Sequence, residues 1–135
     1  MGYWGVERDR DVIWVVYAGK MTQADGREAS SKFVRLMGED EVHFVADFYH
    51  LDTYVSETRT AWQRNLLPHR HKLKSISFCS RRVLVRMGAT AFSMLMGVPP
   101  LVSEDQLSFF ERVREIYGAR RPRALYPVPD QFLLA

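Results

Sequence analysis

The sequence contains one cysteine, and no apolar run in it is both long and uninterrupted. Because Cys79 has no second cysteine to pair with, an intrachain disulfide is excluded, and the composition suits a reducing compartment. The most apolar stretch, residues 87–102, is interrupted by polar side chains and by two prolines and is too short to cross a bilayer as a helix. Residues 7–11 form a charged run where a secretory signal peptide has its apolar segment. We therefore expect a cytoplasmic protein without a membrane span.

The sequence also lacks the motifs of nucleotide, metal and nucleophile chemistry. Its eight glycines are scattered, so neither of the glycine-rich phosphate-binding fingerprints occurs. The spacing of the four histidines gives no indication of a metal site, and for His69 and His71 a solvated surface pair is favoured over metal ligation. Cys79 precedes two arginines that would favour a thiolate, but a phosphatase-type site needs arginine six positions later, where this chain has Val85. We therefore predict a buried structural thiol, no catalytic residue, no metal, no cofactor and no enzymatic activity.

The composition that is present is that of one globular domain, with 47% hydrophobic and 26% charged residues. Two apolar segments at residues 3–6 and 11–18 predict a β-hairpin, after which helix and strand patterns alternate. This order indicates an α/β domain over residues 1–118, with a mixed, mostly parallel sheet of about five strands and about four helices. Residues 119–135 are basic and contain prolines, so they predict an extended C-terminal arm. The arm either packs as a strap on its own domain, the more common arrangement, or docks into a partner.

Local signals predict where several helices begin and which side of one helix is buried. Thr22 with Asp25, and Ser103 with Gln106, have the spacing of capping boxes at helix starts. A helix is predicted over residues 82–96, and one apolar stripe of it is expected to face the core. That stripe consists of Leu84, Met87, Ala91, Met94 and Leu95.

A polar turn over residues 49–56 follows a strand predicted over residues 42–48. In open α/β sheets, ligands and reacting groups gather beyond the carboxyl ends of the strands. Aspartate is also a common turn former in its own right, so both explanations stay open for the acidic residues here. The candidate partner interface consists of Asp47, His50, Asp52, Tyr54 and Glu57.

Charge is distributed unevenly along the chain, although the net charge is only +3. Residues 59–86 contain arginine and lysine but no acidic residue, whereas residues 1–58 are acidic overall. Such a basic run either binds an anionic partner or forms a solvated face. Few aromatic side chains within the run could stack on bases, which argues against a nucleic-acid partner. The candidate anion-binding patch consists of Arg64, Arg70, Lys72, Arg81, Arg82 and Arg86.

Two segments resemble the STAS, or SpoIIAA-like, superfamily, whose members include bacterial anti-sigma factor antagonists. The segments are VHFVADFYHLDTYVSETRTAW at residues 42–62 and PHRHKLKSISFCSRRVLVRMG at residues 68–88. Together with the order of elements, the resemblance extends over about residues 3–117 and rests on hydrophobic pattern. It implies a SpoIIAA-like fold for the domain.

The resemblance implies a non-catalytic regulatory module that binds another protein, such as a regulatory kinase or an anti-sigma factor. In the antagonists, a serine or threonine in the turn after this strand is phosphorylated, and the added charge changes docking. Thr53 and Ser56 are the corresponding candidates here, without the glycine of the family's Asp-Ser-Ser-Gly run. A homodimer is a further expectation for such a module.

A neighbouring branch of the same fold resembles lipid-transfer domains and implies a second function, the binding or carriage of a small apolar ligand or lipid. Met87, Met94 and Met96 are compatible with an adaptable apolar surface, although methionines are also ordinary core residues. The sequence therefore leaves two functions open, regulatory protein binding and apolar-ligand binding.

Overall fold

A β-hairpin begins the chain, as its two apolar segments predict. In the computed structural model, which describes residues 2–134, β1 (Gly2–Asp9) pairs antiparallel with β2 (Val12–Met21). The described residues form a mixed α/β domain with a six-stranded sheet and four α-helices. The later elements are α1 (Gln23–Met37), β3 (Val42–Asp47), β4 (Leu51–Tyr54), α2 (Ser56–Leu66), a 3₁₀ helix (Leu67–Lys72), β5 (Leu73–Cys79), α3 (Val83–Leu95), β6 (Pro100–Ser103), α4 (Gln106–Tyr117) and a second 3₁₀ helix (Asp130–Phe132).

The strand β2 lies inside the sheet because both of its faces are apolar. Residues 12–18 are each at most 3% exposed. The strand order is β1-β2-β3-β5-β6, in which β2, β3, β5 and β6 run parallel to one another. The short strand β4 pairs in parallel with the end of β2, beyond the last residue that pairs with β3. The predicted mixed, mostly parallel sheet is confirmed, with six strands where about five were expected.

The sheet separates two apolar cores, because successive side chains of a strand point to opposite faces. On one face, Ile13, Val15 and Tyr17 of β2 pack with residues of α1, α2 and α3. On the other face, Trp14 and Val16 pack with α4 and with the C-terminal arm. Each face of β2 therefore contributes to a different core.

The C-terminal arm lies against the face of the sheet that α4 covers. Ala119, Leu125 and Val128 are buried there. The Tyr3 hydroxyl donates a hydrogen bond to the carbonyl oxygen of Leu125 at 2.8 Å, and the Tyr3 and Phe132 rings stack with centroids 6.1 Å apart. The described part of the arm is therefore a strap that holds the first strand and the end of the chain together.

One of the two predicted capping boxes is confirmed and the other is wrong. The Thr22 hydroxyl accepts from the Asp25 backbone N–H, and the Asp25 carboxylate accepts from the Thr22 backbone N–H. At α4 the cap is Asp105, whose carboxylate accepts from the hydroxyl and the backbone N–H of Ser108, and these bonds lower the pKa of Asp105. Ser103 cannot serve as that cap because it belongs to β6, where it pairs with Cys79.

The predicted core stripe of α3 is wrong, because it faces outward. Leu84 is 77% exposed, and Met87 and Met94 are each 62% exposed. Ala91 and Leu95 are exposed as well. Both sides of this helix are apolar, so the spacing of its apolar residues could not distinguish them. The inward side consists of Val85, Gly88, Phe92 and Ser93.

Candidate functional site

An apolar cavity lies between the sheet and the helices α2 and α3. Its walls come from β2, β3 and β5 on the sheet side and from both helices on the other side. The cavity has a volume of about 70 Å³. Aromatic rings form much of the lining: Tyr17, Phe44, Phe48, Trp62, Phe78 and Phe92. This composition is typical of sites for small apolar molecules.

The polar atoms of two of these rings are already paired with each other. The Trp62 indole Nε1–H donates to the Tyr17 hydroxyl at 2.7 Å. Burial raises the pKa of Tyr17, so its hydroxyl stays neutral. Phe44 contacts Trp62 and Phe92, with ring centroids 5.4 and 6.1 Å apart. The aromatic wall is therefore fixed by mutual packing and presents an apolar surface to the cavity.

Ser93 is a polar residue within this mostly apolar lining. Its side chain is fully buried, and among residues 2–134 its Oγ has no hydrogen-bond partner. A serine inside a helix commonly bonds to the carbonyl oxygen four residues earlier, but that bond is not formed here. A buried hydroxyl without a partner costs about 1–3 kcal/mol. The lining therefore includes one buried hydroxyl that no atom of the described protein pairs with.

The wall between α2 and α3 depends on a glycine. A Cβ atom at Gly88 would overlap the Tyr54 hydroxyl and would lie 3.4 Å from a terminal nitrogen of the Arg59 guanidinium. Tyr54 and Arg59 both line the cavity. Among the described residues, Arg59 forms no ion pair and its guanidinium donates no hydrogen bond. Gly88 therefore allows the Tyr54 hydroxyl and the Arg59 guanidinium to approach α3 closely.

The residues predicted as one partner interface lie in different surroundings. Asp47 is 2% exposed and lies inside the domain, because the C-terminal arm and α4 cover the end of β3. Its carboxylate accepts from the Tyr126 hydroxyl at 2.5 Å, from Gln106 Nε2 at 3.0 Å and from the Tyr49 backbone N–H at 3.0 Å. A shared exposed surface that includes Asp47 is therefore excluded in this conformation.

The other four members are more accessible. His50 Nδ1 accepts a hydrogen bond from the Leu134 backbone N–H at 3.1 Å, and burial lowers the pKa of this imidazole. Asp52 forms an ion pair with Arg82 at 2.8 Å. Tyr54 lines the cavity, and Glu57 is exposed in the first turn of α2.

The two candidate phosphorylation residues are exposed, but the segment around them is not simply a turn. Thr53 belongs to β4, where it pairs with Lys20. Ser56 is the first residue of α2, and its hydroxyl donates to the Glu57 carboxylate at 3.1 Å. The sequence pattern did not predict β4, because the strand has only four residues and alternates poorly in polarity.

The basic run, residues 59–86, contains no acidic residue, but acidic residues from other segments contact it in the folded domain. Arg82 pairs with Asp52 at 2.8 Å, and Arg86 pairs with Glu104 at 3.4 Å. The other members of the candidate anion-binding patch are distributed differently. Lys72 donates to the Gly38 carbonyl oxygen, Arg81 lies over the Tyr49 ring, and Arg64 and Arg70 are exposed. Folding brings Asp52 and Glu104 next to the basic run, which the order of charges along the sequence does not indicate.

Cys79 lies in the core at the end of β5 and is fully buried. Burial raises the pKa of its thiol, and the negative charges of Asp47 and Asp105 raise it further. These surroundings oppose the thiolate that the neighbouring arginines would favour. The geometry is that of a structural thiol.

Among residues 2–134, no group of three or more histidine, cysteine, aspartate or glutamate side chains could hold a metal ion. Within the same range, no helix has the length and apolarity needed to cross a membrane.

The residues that now define the cavity were missed by the sequence analysis. Gly88, Ser93 and Arg59 carry no recognisable motif. The available signal was a glycine and a serine five residues apart in a mostly apolar helix, since small residues often mark a close approach of another element.

Comparison with known proteins supports the fold. No protein-family model matches the chain, and no curated protein matches it. Its structure is similar to the crystal structure of an uncharacterized DUF3478-family protein from Shewanella loihica PV-4, which has a SpoIIAA-like fold. The two share 16% sequence identity and a TM-score of 0.62, over 82% of this chain and 92% of the other. Together with the six-stranded mixed sheet and its helices, this likeness shows that the chain has a SpoIIAA-like fold.

Proposed function

We propose that this domain binds a small apolar molecule in the cavity between the sheet, α2 and α3. The observation that carries the proposal is Ser93, a fully buried hydroxyl without a partner in an apolar, aromatic-lined cavity. Such a group is costly in the folded protein alone and becomes useful when a ligand supplies its hydrogen bond. The role is one of binding and includes no chemical step.

The position of α3 also supports ligand exchange from this side of the sheet. Its inner side lines the cavity through Val85, Gly88 and Phe92, while its outer side has no cover among the described residues. A helix held on one side only opens at lower free energy than one packed on both sides. The same helix therefore provides a wall of the cavity and a route for the ligand.

The proposal is tested by calorimetric titration with 1-butanol, a neutral and mostly apolar probe small enough for a cavity of about 70 Å³. Ser93→Val should weaken binding about tenfold, because the larger side chain removes room for about two methylene groups of about 0.8 kcal/mol each. Thr90 on the same helix lies outside the lining, so Thr90→Val should bind 1-butanol as the unmodified protein does. Absence of binding to the unmodified protein, or equal binding by Ser93→Val, would contradict the proposal.

A second candidate function is a regulatory STAS-type module that docks another protein, a regulatory kinase or an anti-sigma factor. The observation that favours it is the exposure of Thr53 and Ser56 on the surface formed by β4 and the start of α2. Phosphorylation there would add charge beside Glu57 and change docking.

Charge-mimicking variants test this second function. Thr53→Glu or Ser56→Glu should weaken binding of a captured kinase or anti-sigma factor while changing the free energy of unfolding by less than about 0.5 kcal/mol. Thr53→Val and Ser56→Ala are matched neutral controls that should keep binding. Unchanged binding in both glutamate variants would remove the switch.

A further inference from the structure

The outer side of α3, which faces away from the cavity, is apolar, exposed and without charge. We propose that this side binds a second copy of the chain, so that two α3 helices pack against each other in an antiparallel, two-fold symmetric dimer. The outer side consists of the exposed residues of this helix: Val83, Leu84, Met87, Ala91, Met94 and Leu95. Apolar patches on a monomer commonly mark a contact with another molecule. The inference goes beyond the cavity and does not depend on a ligand.

The spacing of the outer residues is that of a contact between two helices. The line of residues along the middle of this side consists of Leu84, Met87, Ala91 and Met94. Its members are separated by three, four and three residues, which is the repeat by which apolar side chains of paired helices interlock. The inner side of the same helix packs on the sheet and lines the cavity. The helix α3 therefore has a second side with the pattern of a helix–helix contact.

A second copy fits this line of residues when the two helices run in opposite directions. Leu84 then lies opposite Met94 of the second copy, because a two-fold axis near the middle of the helix relates the two ends. About the same axis, Met87 lies opposite Ala91 of the second copy. A long side chain thus faces a short one in both central pairs, which fills the contact. A parallel pair would place alanine against alanine and leave a gap, so the sequence of α3 favours the antiparallel dimer.

Charge also favours a second copy over other occupants. Arg86, the charged residue of α3, forms an ion pair with Glu104, and Arg82 before the helix forms one with Asp52. Two copies can therefore meet along this side without bringing unpaired like charges together. A helix that lies on a lipid surface usually has several lysine or arginine residues beside its apolar side, which α3 lacks. A neutral, self-complementary surface is best matched by a second copy of itself.

The size of the surface determines the strength of the contact. Its five large side chains are each about half to three-quarters exposed and form a patch on the order of 400 Å². A stable complex buries about 800 Å² on each partner. We therefore expect a weak, reversible dimer that forms at about 0.5 mM protein and dissociates at about 5 µM. The monomer, in which the outer side of α3 is uncovered, remains the form that exchanges a ligand.

Sedimentation equilibrium at about 5 µM and about 0.5 mM tests the dimer. The mass of the unmodified protein should rise from that of a monomer toward twice that value. Leu84→Glu should weaken the dimer at least about tenfold, because it places carboxylates in an apolar contact. Leu107→Glu is the matched control and should dimerise normally, since Leu107 lies on α4 and is 69% exposed, close to the 77% of Leu84. Thermal unfolding at about 5 µM checks that both variants keep the fold.

Crosslinking between copies tests the antiparallel arrangement. Cys79 is fully buried, so a cysteine introduced on the outer side of α3 is the accessible thiol. A short bismaleimide should join Leu84→Cys chains to Met94→Cys chains when the two are mixed at about 0.5 mM. Each variant alone should be joined at least about tenfold less, since its two thiols lie about 15 Å apart along the helix axis.

Three results would overturn the inference. The first is a monomer at both concentrations, or equal weakening of the dimer by Leu84→Glu and Leu107→Glu. The second is crosslinking of each cysteine variant with itself in preference to the mixture. The third is a monomer that sediments with phosphatidylglycerol vesicles and loses this binding in Leu84→Glu, because the outer side of α3 would then be a surface for lipid.

Discussion

Replacing Ser93 with alanine tests the central feature of the cavity without any ligand. The substitution removes a buried hydroxyl that has no partner, whose burial costs about 1–3 kcal/mol. Alanine also has a higher helix propensity than serine, by about 0.5 kcal/mol. The lost contacts of one oxygen atom offset part of this gain. We therefore expect Ser93→Ala to raise the free energy of unfolding by about 1–2 kcal/mol.

Ser30→Ala is the matched control, because Ser30 is also a fully buried serine inside a helix. Its hydroxyl donates to the Gly26 carbonyl oxygen at 2.6 Å and lies 2.7 Å from the donating Nδ2 of Asn65. The gain in helix propensity is the same at both positions, so the difference between the variants reports the hydrogen bonds. Ser30→Ala should lower the free energy of unfolding by about 1 kcal/mol.

The assay is urea unfolding followed by circular dichroism, with comparison of midpoints at equal slopes. In thermal unfolding, Ser93→Ala should raise Tm by about 3–8 °C, given about 3–4 °C per kcal/mol for a domain of this size. A lower stability for Ser93→Ala, or equal losses in the two variants, would refute the reasoning. Such a result would show that the Ser93 hydroxyl is already satisfied, and the cavity proposal would lose the observation on which it rests.

Three other predictions concern the outer side of α3, the strap and pH. Leu84→Glu should change the free energy of unfolding by less than about 0.5 kcal/mol, because the Leu84 side chain is exposed. Phe92→Ala should lower the free energy of unfolding by about 3–5 kcal/mol, because the Phe92 side chain is buried. Urea unfolding measures both changes. Tyr126→Phe should lower the free energy of unfolding by about 2 kcal/mol, since the buried Asp47 carboxylate loses one hydrogen-bond donor. An unchanged free energy of unfolding would mean that the strap does not stabilise this carboxylate. Burial lowers the pKa of His50, so the unfolded chain binds more protons below about pH 6.5. The stability contributed by neutral His50 is therefore present above that pH and is lost as the pH falls toward the pKa of His50 in the folded protein. In urea denaturation at pH 7 and pH 5, the free energy of unfolding should fall less for His50→Gln than for the unmodified protein. Equal decreases in the two proteins would refute this assignment.

Much of the fold was predictable because it depends on strong local signals. The β-branched and aromatic run of β2 predicts a buried strand, and the Thr22 and Asp25 pair predicts the start of α1. Alternation of strand and helix then predicts parallel pairing with crossovers. These features depend on residues that are close together in the sequence and on backbone preferences, so they can be predicted from a single sequence.

The site was less predictable because it depends on contacts between distant segments. The two sides of α3 are equally apolar in sequence, so only packing against the sheet decides that Ser93 faces inward and Leu84 outward. In sequence Asp47 resembles a surface residue, but in the folded domain Tyr126, 79 positions later in the chain, covers it. The acid-free run similarly gains Asp52 and Glu104 as partners only after folding.

The stacking of Tyr3 on Phe132 has a consequence for how the ends of the domain can be altered. Both side chains lie on the α4 side of the sheet, whereas the cavity lies on the opposite side. Cutting the chain before Phe132 would therefore remove the stacking without removing a residue that lines the cavity. The strap can be shortened at this point while the composition of the binding side stays the same.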